Sequence, residues 1–423
     1  MPYRRRIIDD ALDDLFPQLA AITIEGAKGV GKTATASQRA STILTLTDPE
    51  QSAVLAANLD HVVQVPTPVL IDEWQLESAV WDRVRRAVDD DNTGGQFLLA
   101  GSAGAAPGVR IHSGAGRIVQ LQIRPMTLSE RGLEEPQVSL GALLDGERPE
   151  LRGRSDLDLG DYTDEILRSG FPGIRDLPQR ARDVQLDSYV ERIVDRDLPE
   201  NGVTVRRHGA LRDWLAAYAA ATSTDASYTE ILDAATPGEA DKPARQTVAV
   251  YREQLRRIFV LDPVDAWTPT FSPLTRLTQT PKHHLVDPAL AARLVGINRD
   301  GLLRGKGTPF RSGAETWLGR LFESLVTQSV RVYAAATNAR VGHLRTKNTQ
   351  HEIDLIVERN DRQCVAIEVK LGGTIHDNDV RHLNWLREQI GDRLVERLVV
   401  HTGKYAYRRP DCVAVVPLAL LGP

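Results

Sequence analysis

The chain has 423 residues, of which 42% are hydrophobic and 26% charged, with a formal net charge of −5. That balance excludes a disordered chain, and no apolar run reaches the roughly 18 residues a membrane span needs. The acidic total excludes a chain coated along its length in nucleic acid, and two cysteines, Cys364 and Cys412, are too few for a disulfide framework or a zinc set, so a reducing cytoplasm is the expected setting.

The opening run MPYRRRIIDDALDDLF is basic at its start but has no apolar stretch behind it, so it does not read as a signal peptide. Residues 20–25 (AAITIE) predict a short buried strand, 26–33 a glycine loop, and 32–44 the helix that follows. Further strands are expected at 68–74 (PVLIDEW), 96–102 (QFLLAGS) and 117–123 (RIVQLQI), with apolar residues at helical spacing over 76–90. Strands alternating with helices predict a parallel α/β sheet covered on both faces. Residues 136–160 are rich in Gly, Pro and charge and read as a linker.

From 161 to 260 the pattern is mainly helical, broken at SGFPG, with helices expected near 180–197 and 209–222. SYTEILDAA (227–235), a loop with Pro237 and Gly238, and ARQTVAVYREQLRRI (244–258) lead into two short strands, FVLDPVDAW and KHHLVDPAL. Helix, loop, helix and two strands predict a winged helix. Its second helix carries Arg245, Arg252, Arg256 and Arg257, as a DNA-reading helix would. His283 and His284 are adjacent, so on a strand they face opposite sides and are read as structural. Residues 311–423 form a last α/β unit, with a helix from Trp317, strands at 352–357, 364–370 and 396–401, and a helix near 377–390.

Gly26-Ala27-Lys28-Gly29-Val30-Gly31-Lys32-Thr33 fits the phosphate-binding pattern G-x-x-x-x-G-K-[ST]. Glycines let successive N–H groups point into one concavity, Lys32 reaches the outer phosphates, and the Thr33 hydroxyl is a ligand for Mg²⁺. Val69-Leu70-Ile71-Asp72-Glu73 is an apolar strand ending in two carboxylates, Asp72 and Glu73. Asp72 is expected to hold Mg²⁺ through water, and Glu73 to act as general base on the attacking water. Ser102 stands where AAA-type ATPases place a polar sensor, and Arg117 is a candidate γ-phosphate arginine acting in cis or from a neighbouring subunit. ATP and Mg²⁺ are therefore the expected cofactors.

A second constellation lies near the end. Asp354 is followed on the next strand by Glu368 and Lys370, which alternation puts on one face. This is the D-x(n)-E-x-K arrangement of restriction-like nucleases, in which Asp354 and Glu368 would hold a divalent cation and Lys370 would orient water. Glu323, on the preceding helix, fits a supporting acidic position. The surrounding residues 311–410 carry 16 basic and 12 acidic residues, against 14 and 21 for residues 1–150, so a phosphate backbone could be held locally. Only eight of the 52 basic residues are lysine (28, 32, 242, 282, 306, 347, 370 and 404), which suggests that each marks a place needing an ammonium rather than a guanidinium. The Arg- and Ala-rich usage points to a bacterial, GC-rich source.

Taken together, ITIEGAKGVGKT, LIDEWQ, FLLAGSA, GAGRIVQLQIRPMTLSE, SGFPG, YVERIVDRD, KHHLVDPAL, GRLFESLV and EIDLIV resemble a bacterial and archaeal family. Its members are AAA+-type P-loop ATPases that carry a C-terminal domain of unknown function with a restriction-endonuclease-like fold. AGSAGAAPG departs from the longer polar segment such proteins have there. The expected division is an ATPase domain over 1–145, a linker and helical segment over 146–205, a winged-helix-like domain over 206–300 and a restriction-endonuclease-like α/β domain over 305–423. The leading expectation is Mg²⁺-dependent ATP hydrolysis coupled to a nucleic-acid-processing, nuclease-like C-terminal domain. The alternative is a nucleotide-dependent switch whose C-terminal domain is an inert protein- or DNA-binding module. DNA or RNA, a second copy of the chain or a protein partner are the expected partners, and a membrane is not.

Overall fold

The computed structural model describes residues 3–102, 114–205, 207–236, 245–267, 280–305, 316–346 and 350–423. The glycine-rich run after Ser102, the loop at Pro237 and Gly238, and Lys242, Lys306 and Lys347 lie outside these ranges.

After helix α1 (Ile7–Leu15) the chain enters strand β1 (Ala21–Glu25), helix α2 (Lys32–Ser37), strand β2 (Thr42–Thr45) and helix α3 (Pro49–Ala57). Strand β3 (Val69–Asp72), helix α4 (Ala79–Asp90), strand β4 (Phe97–Gly101) and strand β5 (Ile118–Gln122) complete the first layer. The order β2-β3-β4-β1-β5 is parallel throughout. The expected helix over 32–44 is cut short: α2 stops at Ser37, and Thr42–Thr45, three of whose four residues are β-branched, pairs with β3 as an edge strand. The glycine loop leaves the C-terminal end of β1, which lies between β4 and β5, the end at which open α/β sheets bind ligands.

Strand β6 (Val138–Ser139) begins the stretch read as a linker, and it is no free tether. It pairs in parallel with strand β13 (Leu421–Gly422), Ser155 N–H donates to the Lys404 carbonyl, and Ala406 N–H donates to the Gly153 carbonyl. The backbone groups of this Gly- and Pro-rich stretch are satisfied by the distant C-terminal segment, a pairing that composition does not reveal.

Helices α5 (Leu159–Arg168), α6 (Gln179–Arg192), α7 (His208–Ala220), α8 (Tyr228–Ala235), α9 (Arg245–Arg257) and α10 (Pro288–Val295) follow. α6 runs on through a wider turn, Ile193–Asp197. Then come the 20-residue helix α11 (Trp317–Ala336), strands β7 (Arg340–Arg345), β8 (Glu352–Glu358) and β9 (Cys364–Lys370), helix α12 (Asp377–Ile390), and strands β10 (Leu394–His401), β11 (Tyr407–Arg408) and β12 (Ala414–Pro417). The second sheet is mixed, in the order β11-β12-β10-β9-β8-β7.

Strand pleating shows how the parts share a core. Ile22, Ile24, Leu98 and Ala100 face a central apolar cluster, while Ala21, Phe97 and Leu99 face a cluster with Trp81 and Val84 of α4. In the second sheet Val365, Ile367 and Val369 face the same central cluster, while Cys364 and Ala366 face Val380 and Leu383 of α12. Trp317, Leu321, Phe322 and Leu325 of α11 fill the centre. Among the described residues no helix is long and apolar enough to cross a membrane.

Candidate functional site

The loop after β1 depends on glycine at defined points. A Cβ on Gly26 would lie 2.2 Å from the carbonyl oxygen of Ile123, and Gly29 and Gly31 have φ of +80° and +102°. With these turns made, α2 starts at Lys32 and its first N–H groups open toward the loop. Lys32 is buried and its Nζ donates to the carbonyls of Gly26 (2.9 Å) and Ala27 (3.0 Å). Burial lowers its pKa to about 8, against the pull of Glu73 and Asp72.

Thr33 Oγ1 donates to Asp72 Oδ1 at 2.9 Å, joining the loop to the end of β3. Burial raises the Asp72 pKa, partly offset by that hydrogen bond. Glu73 follows in a left-handed conformation, φ +54°, which turns it out of the strand. Its carboxylate accepts from the Gln75 side-chain amide and from Ser102 Oγ at 3.3 Å. The structure thus brings together Lys32, Thr33, Asp72, Glu73 and Ser102. A hydroxyl and a carboxylate already 2.9 Å apart are hard oxygen donors that fit Mg²⁺, which takes few protein ligands beside phosphate and water. Among the described residues no group of three or more His, Cys, Asp or Glu is disposed to hold a metal.

Arg117 is not in this cluster. It precedes β5, whose Ile118 pairs with Ala21 at the start of β1, whereas the loop leaves from the other end of that strand. Its guanidinium pairs with Asp89 of α4 at 2.8 Å. A γ-phosphate role in cis is therefore corrected: the strand's length separates Arg117 from the loop.

Two clefts flank the loop. In one, of about 400 Å³, Lys28 and Gly29 face Tyr189, Arg192, Arg196 and Asp197. Lys28 Nζ lies 2.6 Å from Asp197 and 3.7 Å from Glu200, and the Tyr189 hydroxyl donates to the Lys28 carbonyl (3.1 Å). The other, about 620 Å³, lies between Tyr3 and Arg4, the Gly31–Thr35 side of α2, and Pro172 of the SGFPG break. Neither cleft is visible as a motif, because each joins segments more than a hundred residues apart. Gln75 was visible as part of LIDEWQ, but nothing in the sequence marked it as the partner of Glu73.

The second constellation is also assembled, with an addition. The register Leu355↔Ile367 puts Asp354 across from Glu368. Lys370 Nζ lies 3.1 Å from Glu368 Oε2, and Asp354 Oδ2 accepts from the Val369 N–H at 2.8 Å. Burial, reinforced by Asp354, raises the Glu368 pKa to about 8, and Glu368 Oε1 is buried with no hydrogen-bond partner. Burial works against charge on Lys370, but Glu368 and Asp354 outweigh it and hold its pKa high. The addition is Lys282, only 1% exposed, whose Nζ lies 2.8 Å from Glu323 Oε1, 2.9 Å from Asp354 Oδ1 and 3.5 Å from Glu352 Oε1. Burial disfavours its charge, yet Asp354, Glu323 and Glu352 hold its pKa well above the ordinary value. Asp354 and Glu368 therefore do not fit a divalent cation as they stand, since an ammonium faces one Asp354 oxygen and a backbone N–H the other. His283 and His284 diverge, the first donating to the Ala226 carbonyl and the second meeting Ser324 Oγ.

Residues 18–131 match a family described as AAA domain, residues 159–301 a domain of unknown function (DUF8612), and residues 318–421 a domain of unknown function (DUF4143). No curated protein matches the chain. Among solved structures it is similar to the Walker-type ATPase PABY2304 of Pyrococcus abyssi, at 14% identity over 70% of this chain and 98% of that one, with a TM-score of 0.40. It is also similar to a chain in the structure of Drosophila ORC bound to DNA, at 14% identity over 72% and 99%, with a TM-score of 0.23. The chain thus carries an AAA-type P-loop domain, which suggests nucleotide hydrolysis, and a DUF4143 domain at the other end.

Proposed function

We propose that the chain is a Mg²⁺-dependent ATPase whose nucleotide state is read by the helical segment lying across its P-loop and passed to a C-terminal module that binds rather than cuts. The Thr33–Asp72 contact at 2.9 Å, with Lys32 and Glu73 on either side, carries the ATPase reading. The triphosphate would lie against the N–H groups of Gly26–Thr33, and Lys32 would leave the Gly26 and Ala27 carbonyls for phosphate oxygens. Thr33 and Asp72 would hold Mg²⁺, which when bound neutralises charge on the phosphoryl being transferred. Glu73, steadied by Gln75 and Ser102, would take the proton of the attacking water. The cleft beside Tyr3 and Pro172 has the position for the base and ribose, and Lys28, Tyr189 and Asp197 link the loop to α6.

Our division of the rest keeps an ATPase domain over 1–145, a helical segment over 146–205, a winged-helix-like unit over 206–300 and a restriction-endonuclease-like domain over 305–423. Helices α7, α8 and α9 followed by the antiparallel bridges Leu261↔Leu285 and Val264↔Lys282 support the winged helix. The order α11, β7, β8, β9, α12, β10, with β10 parallel to β9, supports the nuclease-like fold. Binding is favoured over cleavage because both Asp354 oxygens are engaged, one by Lys282 and one by the Val369 amide.

The pKa of Lys32 supplies a test. A triphosphate needs the ammonium, so affinity should be level between pH 7 and 8 and weaken about tenfold per pH unit above it, because binding then takes up a proton. Lys32→Ala should lose affinity roughly 100-fold and lose the pH dependence with it. A fluorescent ATP analogue titrated at several pH values reads both, and an affinity untouched by Lys32→Ala would reject the site.

A second reading adds nucleic acid. Arg252 and Arg256 of α9 share a cleft of about 670 Å³ with Arg340, Arg359 and Arg362, against three acidic residues. Arg252 also stacks on the Tyr228 ring at 3.9 Å. DNA binding that weakens with salt is expected, and the Arg252→Glu/Arg256→Glu variant should lower the salt slope by about 2. An unchanged slope would remove α9 from any nucleic-acid contact.

A further inference from the structure

We propose that Lys282 is a built-in cation: its ammonium takes the place a divalent metal would occupy in the C-terminal constellation and keeps that site metal-free. The inference rests on reading this domain as restriction-endonuclease-like and concerns a residue outside its D-x(n)-E-x-K pattern.

The side chain is delivered from outside the C-terminal sheet. Lys282 and Val264 exchange two backbone hydrogen bonds, each 2.9 Å, so the backbone from which Lys282 projects is fixed. From there the ammonium reaches Glu323 on α11 and Asp354 and Glu352 on β8. The ammonium donates to Glu323 and Asp354 and has Glu352 3.5 Å away, a compact point charge among three carboxylates rather than the planar fork of a guanidinium. In a chain where 44 of 52 basic residues are arginine, lysine stands here.

The oxygen inventory leaves little for a metal. Asp354 Oδ1 faces Lys282, Asp354 Oδ2 accepts from Val369 N–H, and Glu368 Oε2 faces Lys370. Glu368 Oε1 is buried with no partner, the one oxygen of this pair left uncommitted. Mg²⁺ binds oxygens at about 2.0–2.1 Å and keeps near-ideal octahedral geometry. An ammonium nitrogen 2.8–2.9 Å from Glu323 and Asp354 occupies the space between those oxygens and repels a second cation there.

The experiment is a Mn²⁺ titration of the nucleotide-free full chain, followed by electron paramagnetic resonance. The parent protein should show no Mn²⁺ site that Asp354→Asn removes. Lys282→Met should gain one such site, with affinity at least about tenfold above the parent, and Lys282→Met/Asp354→Asn should lose it. ATP turnover in Lys282→Met should match the parent, which shows that the protein is folded. If Lys282→Met does not fold, Lys282→Gln removes the charge but keeps a donor for the carboxylates and is read in the same way. An Asp354-dependent Mn²⁺ site in the parent overturns the proposal while leaving the nuclease-like reading standing. Folded variants that gain no site overturn the proposal and also the reading of Asp354 and Glu368 as metal-type carboxylates.

Discussion

Glu73→Gln should bind ATP as tightly as the parent and turn it over about 10²–10⁴-fold more slowly, the range a positioned general base supplies. The carboxylate is the group best placed to take a proton from water. It stands one residue beyond Asp72, is turned out of β3 by a left-handed backbone, and is held by Gln75 and Ser102. Glutamine keeps the size and removes the basicity, so binding through Lys32, Thr33 and Asp72 is spared. Gln75→Ala should show a smaller loss, since it frees Glu73 without removing it. Single-turnover hydrolysis beside a binding titration separates the two steps. Turnover within a factor of about three of the parent would remove Glu73 from the chemistry.

Asp262→Ala should cost about 3–5 kcal/mol, the loss expected when one partner of a buried ion group is removed. Arg124 lies after β5 and Arg331 lies on α11, and both close on Asp262 in the middle of the chain, at 2.8 and 3.0 Å. Arg331 also donates to the carbonyls of Asp262 and Pro263. Burial pushes the Asp262 pKa up, but the two guanidiniums outweigh it and hold the group well below the usual carboxylate range. Burial lowers Arg331 to about 10. A depressed folded pKa means that this stabilisation is complete above the ordinary carboxylate value near 3.9 and is lost as pH falls from there toward the folded value. The melting temperature of Asp262→Ala should drop by about 3–6 °C at neutral pH, and the difference from the parent should shrink in acid. Adding Arg331→Met should restore part of it by removing an unpaired charge. A melt within about 2 °C of the parent at pH 7 would show that the cluster does not hold the three regions together.

Local chemistry was legible and long-range chemistry was not. Gly26–Thr33 and Val69–Glu73 could be read because their spacing is set by one turn and one strand end, and the structure brings them together through Thr33 and Asp72. The parallel sheet followed from strands alternating with helices. A cis role for Arg117 did not use the parallel sheet already expected, which puts the residue before β5 at the end opposite the loop that follows β1. Residues 136–160 looked like a linker because their partners, Lys404, Ala406 and Leu421, come from the far end of the chain. Lys282 stood out only as a rare lysine. Its partners are 41 and 72 positions away, and no periodicity announces an ammonium that closes a carboxylate cluster from another segment.

The run from Lys282 to Asp287 works as a tie rod. At one end Lys282 is held in the carboxylates of the C-terminal sheet. At the other, Asp287 accepts from Gly170 N–H, beside the Phe171 and Pro172 that line the two clefts at the P-loop. Gln328 of α11 holds the same end by donating to the Val286 carbonyl. Five peptide units span no more than about 18 Å, so the two anchors can lie no further apart than that. One short covalent segment therefore joins the carboxylate cluster of the second sheet to the backbone beside the P-loop clefts.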